Sequence, residues 1–382
     1  MRKIFLISLF IPFIAVAETA PRARDLGIPF DGTPGKLNAI TDVTGVTVGH
    51  ETIIRDLPEG RAVRTGVTAI LPRGKLSNSK PVFGAMFSLN GNGEMTGTHW
   101  LEESGFLEGP VMITNTHSVG AVHEAVIAWR VKNGAADSSG YWWSLPVVAE
   151  TWDGYLNDIN GFHVRAEHAA AALEGASSGP VAEGNVGGGT GMICHEFKCG
   201  IGSASRVTQA AEKEYTVGVL VQANYGARNL LRVAGVPVGQ HITHDLAYAS
   251  NPPRTPGTGS IIIVVATDAP LMPHQLKRLA RRAAMGLARN GSIASNGSGD
   301  IFIAFSTANA LADQAATGVT IETLPNESIT PLFVATVEST EEAIINALVA
   351  GRDMVGDQGR VVKAIDHEEL RSVLREYNRL KE

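Results

Sequence analysis

The fold turns on Gly259-Ser260-Ile261-Ile262-Ile263-Val264-Val265-Ala266-Thr267. Residues 261–266 are apolar without a break, so the segment has no polar face to show to water. A short β-branched run of this kind reads as a strand covered on both faces. Before it stands Asn251-Pro252-Pro253-Arg254-Thr255-Pro256-Gly257-Thr258. Proline and glycine at that density cannot continue a helix or a central strand. This is a loop, entered from a region read as helical up to about Tyr248. A serine therefore stands at the first strand position beyond a loop.

Outward from that run, further strands are predicted at 46–48, 68–71, 82–89, 111–114, 216–223, 301–306 and 332–337. Helical patterns fall at 119–132, 163–173, 273–289, 341–350 and 368–380. Ser339 stands three residues before Glu342, the spacing of a capping box. Strands and helices do not alternate strictly, which disfavours a doubly wound sheet. Stacked sheets flanked by helices fit the order better.

The chain has 382 residues, 44% of them hydrophobic and 18% charged, enough for a large core and too apolar for disorder. Its 42 glycines exceed the usual share of about 7% with no repeat to absorb them, so they belong to tight turns and close backbone approaches. The net charge of −6 argues against a nucleic-acid partner. Lys277-Arg278 and Arg281-Arg282 cluster on one helix and read as its solvated face.

Arg2 and Lys3 precede an apolar run over 4–14 and then Ala15-Val16-Ala17. These are the three regions of a secretory signal, and the run is too short for a membrane span of about 20 residues. Cleavage is expected after Ala17, so residues 1–17 are the signal peptide and 18–382 a single domain with no membrane span. Taking Arg2 and Lys3 from the 32 basic residues leaves 30 against 38 acidic, a charge of −8. The expected location is the periplasm of a Gram-negative cell.

Cys194 and Cys199 are the sole cysteines. A disulfide, two reduced thiols and a weak metal pattern all remain open. His241-Ile242-Thr243-His244-Asp245 has metal-capable side chains but reads more readily as a polar turn before a helix at Leu246. Gly187-Gly188-Gly189-Thr190-Gly191 lacks the spacing of a nucleotide loop and reads as a tight turn. No H-E-x-x-H, Walker or paired C-x-x-C motif occurs. One nucleophile without a histidine base remains. Were the Gly259–Ser260 bond cut, Ser260 would carry a hydroxyl and an α-amine of pKa about 7.7–8.0, able to act as its base. Ser298 and Asp300, at the entrance of the 301–306 strand, could relay a proton and hold that amine. An ordinary edge serine and an Asx-type turn are the plainer readings.

Pro256-Gly257-Thr258-Gly259-Ser260, with Ala266-Thr267-Asp268-Ala269-Pro270-Leu271 after the strand, resembles the self-processing serine aminopeptidases. That family comprises the L-aminopeptidase/D-alanine esterase-amidases and the β-peptidyl aminopeptidases. Asn90-Gly91-Asn92-Gly93-Glu94, Thr114-Asn115-Thr116-His117, Glu150-Thr151-Trp152-Asp153-Gly154-Tyr155, Gln222-Ala223-Asn224-Tyr225-Gly226 and Asn296-Gly297-Ser298-Gly299-Asp300 fit the same pattern in order, across nearly the whole mature chain. The resemblance implies an α/β (α+β) fold, a four-layer α-β-β-α sandwich like the N-terminal nucleophile hydrolases with a different connectivity. It implies self-cleavage between Gly259 and Ser260 into an α chain (18–259) and a β chain (260–382), assembled as a tetramer of α/β heterodimers. By the same resemblance Ser260 is the nucleophile, and Ser298 and Asp300 stand beside its amine, where some members carry Glu. Asn224 is the side-chain donor of the oxyanion hole, and Glu150 the carboxylate that grips the amine of a small peptide or amide substrate. Trp152 stands where some relatives have a Tyr whose hydroxyl assists; Tyr155 or another group would have to supply it here. No cofactor or metal is implied.

The signal peptide and Pro21-Arg22-Ala23-Arg24-Asp25-Leu26-Gly27 look more like the β-peptidyl branch. The L-aminopeptidase/D-alanine esterase-amidase branch is the alternative. An exported non-catalytic binding protein is a reading of another class, and an ornithine-acetyltransferase relative would use Thr where Ser260 stands.

Overall fold

The apolar run forms strand β11 (Gly259–Thr267), buried along its whole length. Its alternate residues go to different cores. Ile261, Ile263 and Val265 pack under helices, while Ile262, Val264 and Ala266 pack against a second sheet. This is the period of two that places successive side chains on opposite faces of a strand. The computed structural model describes residues 21–134, 143–249, 259–310 and 318–381. The signal expected at 1–17 and the loop expected from Asn251 to Thr258 lie outside the described residues.

β11 sits inside a six-stranded sheet. Its order is β4 (Phe106–Leu107), β3 (Val82–Gly91), β12 (Ser298–Ser306), β11, β10 (Lys213–Asn224) and β9 (Ile201–Ala210). The second sheet orders β1 (Thr47–Asp56), β2 (Ala62–Lys75), β5 (Val111–Asn115) and β6 (Val147–Thr151). Each sheet has one parallel pair, β11 with β12 and β5 with β6. A parallel pair needs a crossover, and helices α5 (Pro273–Arg289) and α2 (Val119–Asn133) supply the two. α5 and α6 (Thr330–Val349) cover the outer face of the larger sheet, and α2 and α3 (Ala166–Glu174) that of the smaller. Ile70, Ile113 and Ala149 meet Ile262, Val264 and Ile303 between the sheets. The α-β-β-α sandwich is therefore present. Smaller elements complete it: α1 (Thr98–Ser104), α4 (Val238–His241), α7 (His367–Glu376), and the ribbons β7 (Ile193–Cys194) with β8 (Phe197–Lys198) and β13 (Met354–Val355) with β14 (Val361–Val362).

Three local expectations are corrected. Residues 332–337 are not a strand but the first turns of α6, and Ser339 lies inside that helix rather than at its cap. The cause is burial on nearly every side, which removes the amphipathic pattern that marks a surface helix. Even Glu342 is buried there, held by Arg24 and Arg206 at 2.8 and 2.6 Å. Thr336 and Thr340 turn their hydroxyls back to the Leu332 and Thr336 carbonyls. The stretch up to residue 249 has its α-helix over α4, and Leu246 starts no helix. Its turns are gathered by the Arg228 guanidinium, which donates to the carbonyls of Ile242 and His244. Strands β6 and β9 were not among the expected ones.

The cysteines form a disulfide across the β7–β8 hairpin. Gly187–Gly189 is a buried single turn, as its composition suggested. Lys277 pairs with Glu102, while Arg278 and Arg282 lie over the Phe333 ring.

Because β11 is covered on both faces, Ile262→Ala and Ile263→Ala should each cost about 2–5 kcal/mol of unfolding free energy in denaturant titrations. A strand with one wet face would show a loss at one of the two positions alone.

Candidate active site

The start of β11 is where three strand ends meet. Ser260 pairs with Asn224, the last residue of β10, and with Gly299 of β12. Gly259 pairs with Ser298. Serine, amide, second hydroxyl and carboxyl are thus assembled by sheet register, although 36 residues separate Asn224 from Ser260 and 38 separate Ser260 from Ser298. Close backbone contact makes this possible. A Cβ at Gly259 would lie 2.0 Å from the Asn224 carbonyl oxygen, and one at Gly299 2.5 Å from that of Asn92.

Ser298 Oγ donates to Asp300 Oδ1 at 2.6 Å. The pairing of β12 with β3 shifts register between Asp300 and Ile301, an irregularity of the kind that re-aims a side chain beside a site. The loop leading into Ser298 is held by amides from the end of β3. Asn90 Nδ2 donates to the Ser295 carbonyl at 2.9 Å, and Asn92 Nδ2 to the Gly297 carbonyl at 2.9 Å. Burial pushes the Asp300 carboxyl up to about 6, against the opposing pull of the Ser298 hydroxyl and the Ile261 amide.

The Asn224 side chain has one allowed orientation. Ile193 N–H donates to its Oδ1 at 2.9 Å, and its Nδ2 donates to the Trp152 carbonyl at 2.7 Å. Flipping the amide would set N–H against N–H and oxygen against oxygen. One hydrogen of Nδ2 is left after the Trp152 bond, on a side chain paired in register with Ser260.

Glu150 comes from the other sheet, near the end of β6. It is buried, and burial raises its pKa, partly offset by the Thr116 hydroxyl and the Glu94 backbone N–H that donate to its two oxygens. Among the described residues it forms no ion pair, so a buried carboxylate keeps acceptor capacity for a cation. A Cβ at Gly93 would lie 3.2 Å from both Glu150 Oε1 and the Gly299 Cα, which sets this carboxylate beside the β11–β12 junction.

Residues 38–362 match the peptidase family S58. The chain belongs to peptidase family S58. It is 54% identical to beta-peptidyl aminopeptidase BapA of Sphingosinicella microcystinivorans, over 96% of this chain and 95% of that protein. The structure of an L-aminopeptidase D-Ala-esterase/amidase from Ochrobactrum anthropi, described as a prototype for the serine aminopeptidases and a new variant among the Ntn hydrolase fold, superposes with a TM-score of 0.89 at 51% identity. That match covers 94% of this chain and 99% of the other. A Burkholderia sp. beta-aminopeptidase superposes with a TM-score of 0.84 at 49% identity, covering 93% and 99%. The protein is accordingly a serine aminopeptidase.

In this S58 peptidase the expected residues do not all gather at one point. Ser260, Asn224, Ser298 and Asp300 stand on three adjacent strands at one end of the sheet, and Glu150 lies across the junction from them. Trp152 meets the group through its backbone carbonyl. Tyr155 donates its hydroxyl to the Ala247 carbonyl and packs edge-on to Tyr248, in a cluster with Leu156 and Ile193. Thr116 and the Ile193 and Glu94 amides went unnoticed in the sequence. Backbone groups leave no residue-type signal, and Thr116 stood out only as part of a matched segment.

In the intact chain Asp300 should titrate near pH 6 in its carboxyl 13C shift. Its folded pKa lies above the ordinary value of about 3.9, so its contribution to stability is complete below that value and is lost as pH rises through 6. Ser298→Ala removes a bond that favours the charged form and should move the midpoint higher.

Proposed function

We propose that this serine aminopeptidase is an exported, self-processing β-peptidyl aminopeptidase that works through an acyl-enzyme on Ser260. The observation that carries the reading is the register of three strands, which puts the Asn224 amide and the Ser298–Asp300 pair on either side of one buried serine. In processing, Ser260 Oγ attacks the Gly259 carbonyl carbon and the C–N bond breaks, its nitrogen leaving as the protonated amine. Water then hydrolyses the ester, freeing the Gly259 carboxylate and the Ser260 hydroxyl. Asp300, half ionised near pH 6, is suited to accept the first proton at neutral pH.

In the processed enzyme the Ser260 α-amine takes the hydroxyl proton while Oγ attacks the substrate carbonyl. The free Nδ2 hydrogen of Asn224 meets the developing oxyanion, a contact whose loss costs about 10²–10³ in kcat. The ammonium then protonates the leaving amine, and water releases the acyl group by the reverse sequence. Glu150 receives the substrate ammonium by a charge-assisted hydrogen bond in a buried setting. The identity with BapA supports a β-amino acid at that end of the substrate. The similar identity with the L-aminopeptidase D-Ala-esterase/amidase supports ordinary L-residues and D-alanine derivatives as the second reading. The residues at 1–17 support export to the periplasm, and the resemblance supports a tetramer of α/β heterodimers without a cofactor.

Ser260→Ala should leave one uncut chain on a denaturing gel, without an N-terminus at 260, and no hydrolysis. A cut and active S260A protein would overturn the mechanism. Rates on β-alanyl, L-alanyl and D-alanyl p-nitroanilides separate the two substrate readings. Glu150→Gln should raise KM for substrates with a free amine far more than for their N-acetylated forms.

A further inference from the structure

The partner that aims Asn224 belongs to an unusual hairpin. β7 and β8 are joined by His195 and Glu196, both with positive φ, at 48° and 62°. Two such residues make a mirror-image two-residue turn that normally takes Asn and Gly, and side chains there are strained. Several bonds hold the turn in place. The disulfide closes it, His195 N–H donates to the Tyr225 carbonyl at 2.7 Å, and Arg228 Nε donates to the His195 carbonyl at 2.9 Å.

Lys198, on β8, is fully buried with no carboxylate in contact among the described residues. Its Nζ donates to the carbonyls of Met192 at 2.8 Å and Cys199 at 2.5 Å, with that of Gly189 at 3.5 Å. A methionine of similar length would fill this space without the cost of burying an amine. What it could not do is hold three carbonyls together.

The Met192 carbonyl and the Ile193 N–H are two ends of one planar peptide unit. Lys198 grips the oxygen end, and the nitrogen end grips Asn224 Oδ1. A hydrogen-bonded line therefore runs from Lys198 Nζ through the 192–193 peptide and the Asn224 amide to the remaining Nδ2 hydrogen. Each link polarises the next in the same sense, since donors strengthen one another along a chain of amides.

We propose that Lys198 is a positioning residue for the oxyanion hole. It fixes the 192–193 peptide plane and, by donating to the oxygen end, polarises that plane toward the Asn224 amide, with the Cys194–Cys199 disulfide locking the hairpin that carries it. The inference rests on Asn224 as oxyanion donor. It adds a distant group that acts only through that amide.

The test is a double-mutant cycle of Lys198→Met with Asn224→Ala in the full-length protein, with rates normalised to the fraction bearing a Ser260 N-terminus. K198M should lower kcat about tenfold with KM within about twofold, since Glu150 is untouched, and should do nothing further in the N224A background. Equal losses in both backgrounds, or a loss carried by KM, would overturn the relay while leaving Asn224 as oxyanion donor. An N224A enzyme with unchanged kcat would instead remove the oxyanion reading and the relay with it. Should N224A remain uncut, K198M is assayed with 3-aminopropanal, whose hemiacetal with Ser260 places its oxygen where the oxyanion would form. Its Ki should rise in step with the loss of kcat, and an unchanged Ki overturns the proposal. If K198M does not fold, Cys194→Ala/Cys199→Ala, which loosens the hairpin and keeps Lys198, takes its place in the same measurements.

Discussion

Much of this molecule depends on the double burial of β11. A strand with apolar side chains on both faces can rest only between two covering layers, and its register with its neighbours is then strongly held, because a slip of one residue would exchange its two faces. Ile261 and Ile262 serve different cores, so each opposes the slip. The first residues of the strand inherit that precision. Ser260 stands opposite Asn224 and Gly299 because the isoleucines after it have nowhere else to go.

Around that fixed point the site is made of buried polar groups, each held by named donors or acceptors. Asp300 has Ser298, Glu150 has Thr116 and the Glu94 amide, and Asn224 has Ile193 and Trp152. Burial raises the pKa of both carboxyls, the direction expected when the charged form loses water. The two differ in how they are served. Each oxygen of Glu150 has a donor, whereas the Ser298 hydroxyl serves Oδ1 of Asp300 alone. Ser260 and Glu150 thus come from opposite sheets, joined at the glycine contacts of residues 93 and 299.

The legible and illegible parts of the fold divide by burial pattern. α5 was readable to its ends, because Pro273 opens it and its apolar stripe repeats at helical spacing between basic residues. α6 was misread over 332–337, because a helix buried all round shows the same unbroken apolar run as a buried strand. The site divides in a similar way. Ser260, Ser298 and Asp300 could be named from their place at strand entrances, and Asn224 and Glu150 from the family resemblance of the segments that hold them. Their partners could not, since an Ile193 amide or a Trp152 carbonyl is chosen by the path of the chain.

The sequence by itself determined a strand wet on neither face, a serine at its entrance, a short list of polar residues able to serve it, and an apolar run over 4–14. Those follow from local chemistry, which a side chain carries wherever it lies. Tertiary structure alone decided that Asn224 and Gly299 flank Ser260, that Cys194 and Cys199 join, that Tyr155 turns to Ala247, and that a buried lysine holds the peptide behind the Asn224 amide. These are relations between residues far apart in the chain or across a turn of chosen geometry. They are set by which surfaces pack together, and no single residue carries that information.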